Sequence, residues 1–121
     1  MRRLLLIGAF LLLPLAAAAG GLRAPSCDAL AAFSFGARIS PIEISFGKAP
    51  ENMTVDEFDQ ALDVVTVCID EIDSGPADIP GLTWRERKSA RIGALARLAE
   101  DLKIYRSRQR ERERREAEHR R

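Results

Sequence analysis

Past an apolar run near its start, the chain is organised by helical periodicity. Phe58, Ala61, Leu62, Val65, Cys68, Ile69 and Ile72 recur at spacings of three and four. Asp56, Asp59, Asp63, Asp70 and Asp73 fall mainly off that stripe. This pattern predicts an amphipathic helix with one face in a core. Its start carries two signals. Thr54-Val55-Asp56-Glu57 has the spacing of a capping box, and Met53 and Phe58 occupy the positions of a hydrophobic staple. Ser74-Gly75-Pro76 ends the helix near Asp73.

A second start follows at Thr83-Trp84-Arg85-Glu86, again with capping-box spacing and with Leu82 ahead of it. Trp84, Lys88, Ile92, Leu95, Leu98, Ala99, Leu102 and Tyr105 then follow one face. The Lys88 stem is expected to cover apolar surface while its amine stays wet. Gly93 interrupts the run and suggests a close approach to the neighbouring helix. Two such helices with a short link predict an antiparallel αα-hairpin.

The region ahead of the hairpin reads differently. Ser26 can cap a short helix from Cys27 to Phe33. Phe33-Ser34-Phe35 and Ile42-Glu43-Ile44-Ser45-Phe46 alternate with period two, which suggests a short strand or a small hairpin covering one side. Helix, or irregular coil pinned by a disulfide, are the alternatives there. The expected class is therefore mainly α, with a small α+β form as the variant.

The termini divide the rest. Met1-Arg2-Arg3, the apolar run Leu4 to Leu13, Pro14 and Ala16 to Ala19 are the parts of a secretory signal peptide. Residues 1–19 are assigned to that leader, 20–105 to one small helical domain, and 106–121 to a charged tail. Of 121 residues, 102 remain after cleavage behind Ala19, enough for one domain. Loss of Arg2 and Arg3 turns the net charge from +1 to −1. Export makes Cys27 and Cys68 the natural intrachain disulfide. It would tether the first long helix to the start of the mature chain.

Charge is segregated. From Glu43 to Asp78 there are ten acidic residues against Lys48 alone, and from Lys103 to Arg121 nine basic against four acidic. From Arg106 onward only Ala117 is apolar, so the tail is expected to be a frayed helical extension with nothing apolar to dock it. The plain reading is two solvated faces that keep a small protein soluble. The binding readings are that the basic tail meets an anionic surface or an acidic protein, or that the tail of one copy meets the acidic helix of another. Nucleic acid is disfavoured, because glutamates dilute the field and no aromatic interleaves the arginines. Membrane contact is not expected after signal cleavage, because the tail has no apolar face.

Catalytic chemistry finds little support. His119 is the single histidine and lies in the tail, so Ser40, Ser45, Ser74 and Ser89 have no credible base beside them. Zinc needs three or four converging ligands. The acidic inter-helix link fails the calcium-loop spacing, since Ile72 and Gly75 fall where oxygen ligands belong. No cofactor is implied. Asn52-Met53-Thr54 is a formal glycosylation sequon, but Thr54 already has a role as a cap. Function is therefore expected to be that of an exported, non-enzymatic interaction module of the periplasm or cell exterior, an accessory, inhibitor or subunit. Its partner would be a protein, met through Trp84, Tyr105, Arg110, Arg114 and Arg115. Trp84 itself is expected to act chiefly as a lid on the core. The alternative is a small ligand- or envelope-surface-binding protein; a small enzyme ranks third.

Overall fold

The computed structural model describes residues 21–35 and 39–120. The leader assigned to residues 1–19 lies outside them. Every regular element among the described residues is helical: α1 (Cys27–Ser34), α2 (Pro41–Phe46), α3 (Val55–Ser74) and α4 (Lys88–His119), with 3-10 turns at Pro50–Asn52 and Trp84–Glu86. None of these helices is long and apolar enough to cross a membrane.

α3 begins as its sequence requires. Thr54 Oγ1 accepts from the Glu57 amide at 3.1 Å, and Glu57 Oε1 accepts from the Thr54 amide at 3.0 Å, which closes the capping box. Met53 and Phe58 are both buried beside it. In α1, Ser26 Oγ accepts from the Ala29 amide at 3.2 Å, and Leu30 and Ala31 are buried.

The strand-like segment is not formed. Phe33 and Ser34 complete α1, and Ile42 to Phe46 lie in α2. The reason is local. Ser40 Oγ accepts from the Ile42 amide at 3.3 Å, and Pro41 sits in the first turn. Gly47 follows the last turn at φ 80° and donates its amide to Glu43 O at 2.9 Å. Proline inside the start and a left-handed glycine past the end are helix punctuation. Over five residues, alternation also satisfies helical spacing: Ile42 and Phe46, four apart, are both buried. The stretch before α1 is also held, since the Arg23 amide donates to Phe46 O at 2.8 Å and Arg23 Nη1 donates to Ile44 O at 3.0 Å.

α4 starts later than the capping-box spacing suggests. Trp84–Glu86 is a 3-10 turn, and the Thr83 hydroxyl donates to Glu86 Oε1 at 2.6 Å instead of accepting from an amide. The Lys88 amide donates to Asp78 Oδ1 at 2.7 Å, so a residue in the link caps α4 from ten positions away. The Lys88 amine is not left to water. It donates to Asp73 O at 2.7 Å and Gly75 O at 3.0 Å, closing the orphaned carbonyl end of α3. Gly93 makes no close approach to a neighbouring helix; a Cβ there would meet only Arg97 Nη1, at 3.8 Å.

α3 and α4 make the main packing of the chain. Phe58, Ala61, Val65, Cys68 and Ile72 join Leu95, Leu98 and Leu102 in one buried cluster, closed by Leu30, Ile42, Phe46 and Met53. Burying one such Leu or Phe contributes about 1.5–3 kcal/mol. Lys88 meets the end of α3, whereas Arg106 meets Asp59 near its start, so the two helices run in opposite directions.

Candidate interaction face

The two cysteines form a disulfide, with Cα atoms 5.2 Å apart. Cys68 is buried in the inward face of α3, and Cys27 is half-buried at the first residue of α1. The Glu71 carboxylate and the two sulfurs lie within 4.8 Å of one another. With both sulfurs in the bond, neither offers a thiolate to a metal ion. A cleft of ≈ 350 Å³ opens beside them, lined by Ser26, Asp28, Asp78, Lys88 and Arg91 among others. Its cations already have partners: Arg91 pairs with Asp28 at 2.5 Å and Lys88 holds the end of α3.

Trp84 is not a lid on the core. It is 60% exposed, and its indole meets the Phe35 ring edge-on with centroids 5.5 Å apart. The cause is the delayed start of α4: in a 3-10 turn before the helix, Trp84 is off the stripe that Ile92, Leu95 and Leu98 define. The Arg85 guanidinium lies over the Phe35 ring, 5.5 Å from its centroid. Beside them is an open groove of ≈ 430 Å³ lined by Ala31, Ala32, Phe35 and Leu82, with Asp28, Arg85, Glu86 and Arg91 around it. Its apolar floor comes from the outer side of α1 and its far wall from the link.

The other expected contact residues lie elsewhere. Tyr105 is half-buried against the core cluster, with the Arg108 guanidinium 5.4 Å from its ring centroid. From Lys88 to Tyr105 the helix advances about 26 Å at its usual rise, so Trp84 and Tyr105 do not share a face. Arg114 bonds Glu111 and Glu118, and Arg115 reaches Glu111 at 3.3 Å, all within the helix. Hydrogen bonding from Arg114 holds the Glu111 carboxyl below its ordinary value, against a smaller opposing effect of desolvation. Arg110 makes no ion pair among the described residues, and its charge adds to the field on Asp59.

The tail is docked by polar groups, contrary to the expectation of a frayed extension. Arg106 Nε donates to Asp59 Oδ1 at 2.5 Å, and this hydrogen bond is the chief reason the Asp59 carboxyl titrates below its usual range. Glu113 Oε2 accepts from the Val55 amide at 3.1 Å and from Gln109 Nε2 at 2.8 Å. The Val55 amide is one of the donors a helix start leaves without an internal partner.

Phe35, Ala32 and Leu82 are the groove residues that periodicity missed. Only Ala32 had a signal, since Ala29 to Phe33 is apolar on all sides, more than one buried stripe can use; nothing local marked Phe35 or Leu82. Comparison with protein-family models, with curated proteins and with solved structures finds no match to this chain.

Proposed function

We propose that this chain is an exported, non-enzymatic protein-interaction module: a disulfide-tethered antiparallel αα-hairpin that recognises a polypeptide segment through the Phe35–Trp84 groove. The observation that carries this reading is the exposed Trp84 beside an apolar trough. Exposed tryptophan next to a pocket is the composition of an interaction hot spot. The rim carries both signs, Arg85 and Arg91 with Asp28 and Glu86. It therefore suits an apolar anchor flanked by polar groups better than a uniformly charged ligand. Export rests on the leader-like residues 1–19 and on the disulfide, a bond of oxidising compartments. N-terminal sequencing of the native protein should begin at Gly20.

The experiment compares partners recovered from the native compartment by the mature chain, by Trp84→Ala and by a truncation after Tyr105. Loss of one hot-spot residue lowers affinity by about thirtyfold or more. A specific partner should therefore disappear with Trp84→Ala and persist with the truncation. Identical recovery by all three would refute the groove as the recognition face. A small-ligand reading is the second choice, because the groove volume falls within the range of small-molecule sites. It is favoured only if a small molecule, and no protein, is lost with Trp84→Ala.

A further inference from the structure

A different surface carries an inference independent of the groove. All seven ionisable residues of α3 are acidic. Glu57 is paired with Lys48 and Asp59 with Arg106. Asp56, Asp63 and Asp70 have no ion-pair partner among the described residues and repeat every seven positions along one exposed side. Gln60 and Val67 lie between them on the same side, Val67 at 63% exposure. That stripe is on the side of α3 away from Phe58, Val65 and Ile72, so the α4 of the same chain cannot reach it.

α4 carries the complement. Ile104, Arg108, Arg112 and Arg115 follow one another at spacings of four, four and three, and all are exposed, Ile104 at 51%. Arg108 and Arg112 form no ion pair among the described residues, Arg112 donating only to the neutral Gln109, while Arg115 reaches Glu111 at 3.3 Å and would share its charge between Glu111 and Asp56. Laid antiparallel with Ile104 against Val67, this stripe sets Arg108 against Asp63, Arg112 beside Gln60 and Arg115 against Asp56. A parallel alignment of the same two apolar residues carries Arg112 and Arg115 past the end of α3 at Ser74. One turn beyond Ile104, Asp101 would face Asp70, which limits the contact to the segment from Ile104 to Arg115.

We infer that copies of this chain associate through the Ile104–Arg115 stripe of one and the Asp56–Val67 stripe of the other. Ile104 lies across α4 from Leu95 and Leu102, so the two stripes face opposite ways. The contact is head-to-tail, one α4 stripe on the next copy's α3 stripe, which adds copies in series instead of closing as a two-fold dimer. Exposed ion pairs are individually weak and are screened by salt. The association is therefore a low-affinity one, strongest at low ionic strength.

The test is sedimentation velocity of the oxidised mature chain over a concentration series. Reversible self-association that grows past the dimer with concentration is expected in about 50 mM salt, with a contact dissociation constant that rises at least about tenfold in about 500 mM salt. Arg108→Asp and Asp63→Arg should each weaken association at least about fivefold, and the two together should restore it. Both positions are exposed in helix interiors, and unchanged circular dichroism confirms that the variants fold. A chain that stays monomeric at low salt, single variants that associate normally, or a double variant that fails to recover would each overturn the proposal. So would a monomer whose Arg108 and Arg112 instead bind vesicles of anionic lipid.

Discussion

Removing the disulfide should take away a large share of the stability of this fold. The cleanest perturbation is the double replacement Cys27→Ala with Cys68→Ala, which leaves no lone thiol. The two residues are 41 positions apart in sequence. On the loop-closure model, freeing a loop of that size returns about 4 kcal/mol of entropy to the unfolded chain. Cys68 is also buried in the α3 face, so its truncation to Ala adds a small void of about 1 kcal/mol. Single domains are stable by only about 5–15 kcal/mol, which makes a loss near 5 a large share. For a domain of this length it corresponds to a fall in melting temperature of about 20–40 °C. Urea unfolding followed by circular dichroism should show a lowered midpoint in the double variant. The same fall should appear in wild-type protein held with a dithiol reductant. The slope against urea should rise, because the unfolded chain without the bond exposes more surface. A loss below about 1 kcal/mol would refute the loop-closure reasoning. It would mean that the unfolded chain stays restricted between α1 and α3 even without the bond.

Two further outcomes follow from the same contacts. Burial alone would raise the Glu57 carboxyl, but hydrogen bonds from Lys48 and Thr54 outweigh it and the net displacement is downward. A lowered folded-state value stabilises the protein above the ordinary carboxyl value of 4.5, and that contribution is lost as pH falls through the folded value; the acid limb of a stability–pH profile should therefore flatten in Glu57→Gln, and an unchanged limb would refute the assignment. Gly93 sits within α4 with only the end of the Arg97 side chain near its missing Cβ, so Gly93→Ala should raise stability by roughly 0.5–1 kcal/mol, and a loss in the same urea assay would show a packing constraint that these contacts do not contain.

The legible parts of this fold were those written in short-range pattern. The α3 stripe, its capping box and its staple involve residues no more than five apart, and each formed as its spacing required. Cys27 and Cys68 were legible for another reason: two cysteines admit a single intrachain pairing. The α2 segment was misread although its signals were present. Ile42, Ile44 and Phe46 fit either period, and Ser40-Pro41 with Gly47 should have settled the choice in favour of helix. The start of α4 could not be placed from local pattern. Thr83 and Glu86 have the spacing of a capping box, yet Asp78 and the Lys88 amine fix the start from across the link. The groove was illegible in the same way, because Phe35 and Trp84 become neighbours only after α1 is tethered to α3 and the link folds back.

The tail shows most directly why charge had to be read in three dimensions. Its composition suggested a loose cationic arm, since nothing apolar remains after Tyr105 to dock it. Docking instead uses needs that belong to α3. The capping box satisfies the amides of Thr54 and Glu57 but leaves the Val55 amide without a partner, and Glu113 supplies one from the tail. Arg106 then draws the same end of α3 against the tail through Asp59. Arg114 and Arg115 are engaged by Glu111 and Glu118 within their own helix. The positive charge that remains without a carboxylate partner is thus narrower than the count of arginines implies, and it includes Arg108 and Arg112 on one side of the helix. The negative charge of α3 is narrowed in the same way, because Glu57 and Asp59 are paired and Asp56, Asp63 and Asp70 are not. What looked like two diffuse fields becomes two short stripes of opposite sign, each with one exposed aliphatic residue, Ile104 or Val67, on its line. Diffuse fields would bind whatever carries the opposite charge. Stripes with a register discriminate, because a one-turn slip that sets Arg112 against Asp63 carries Ile104 off Val67 and onto Glu71.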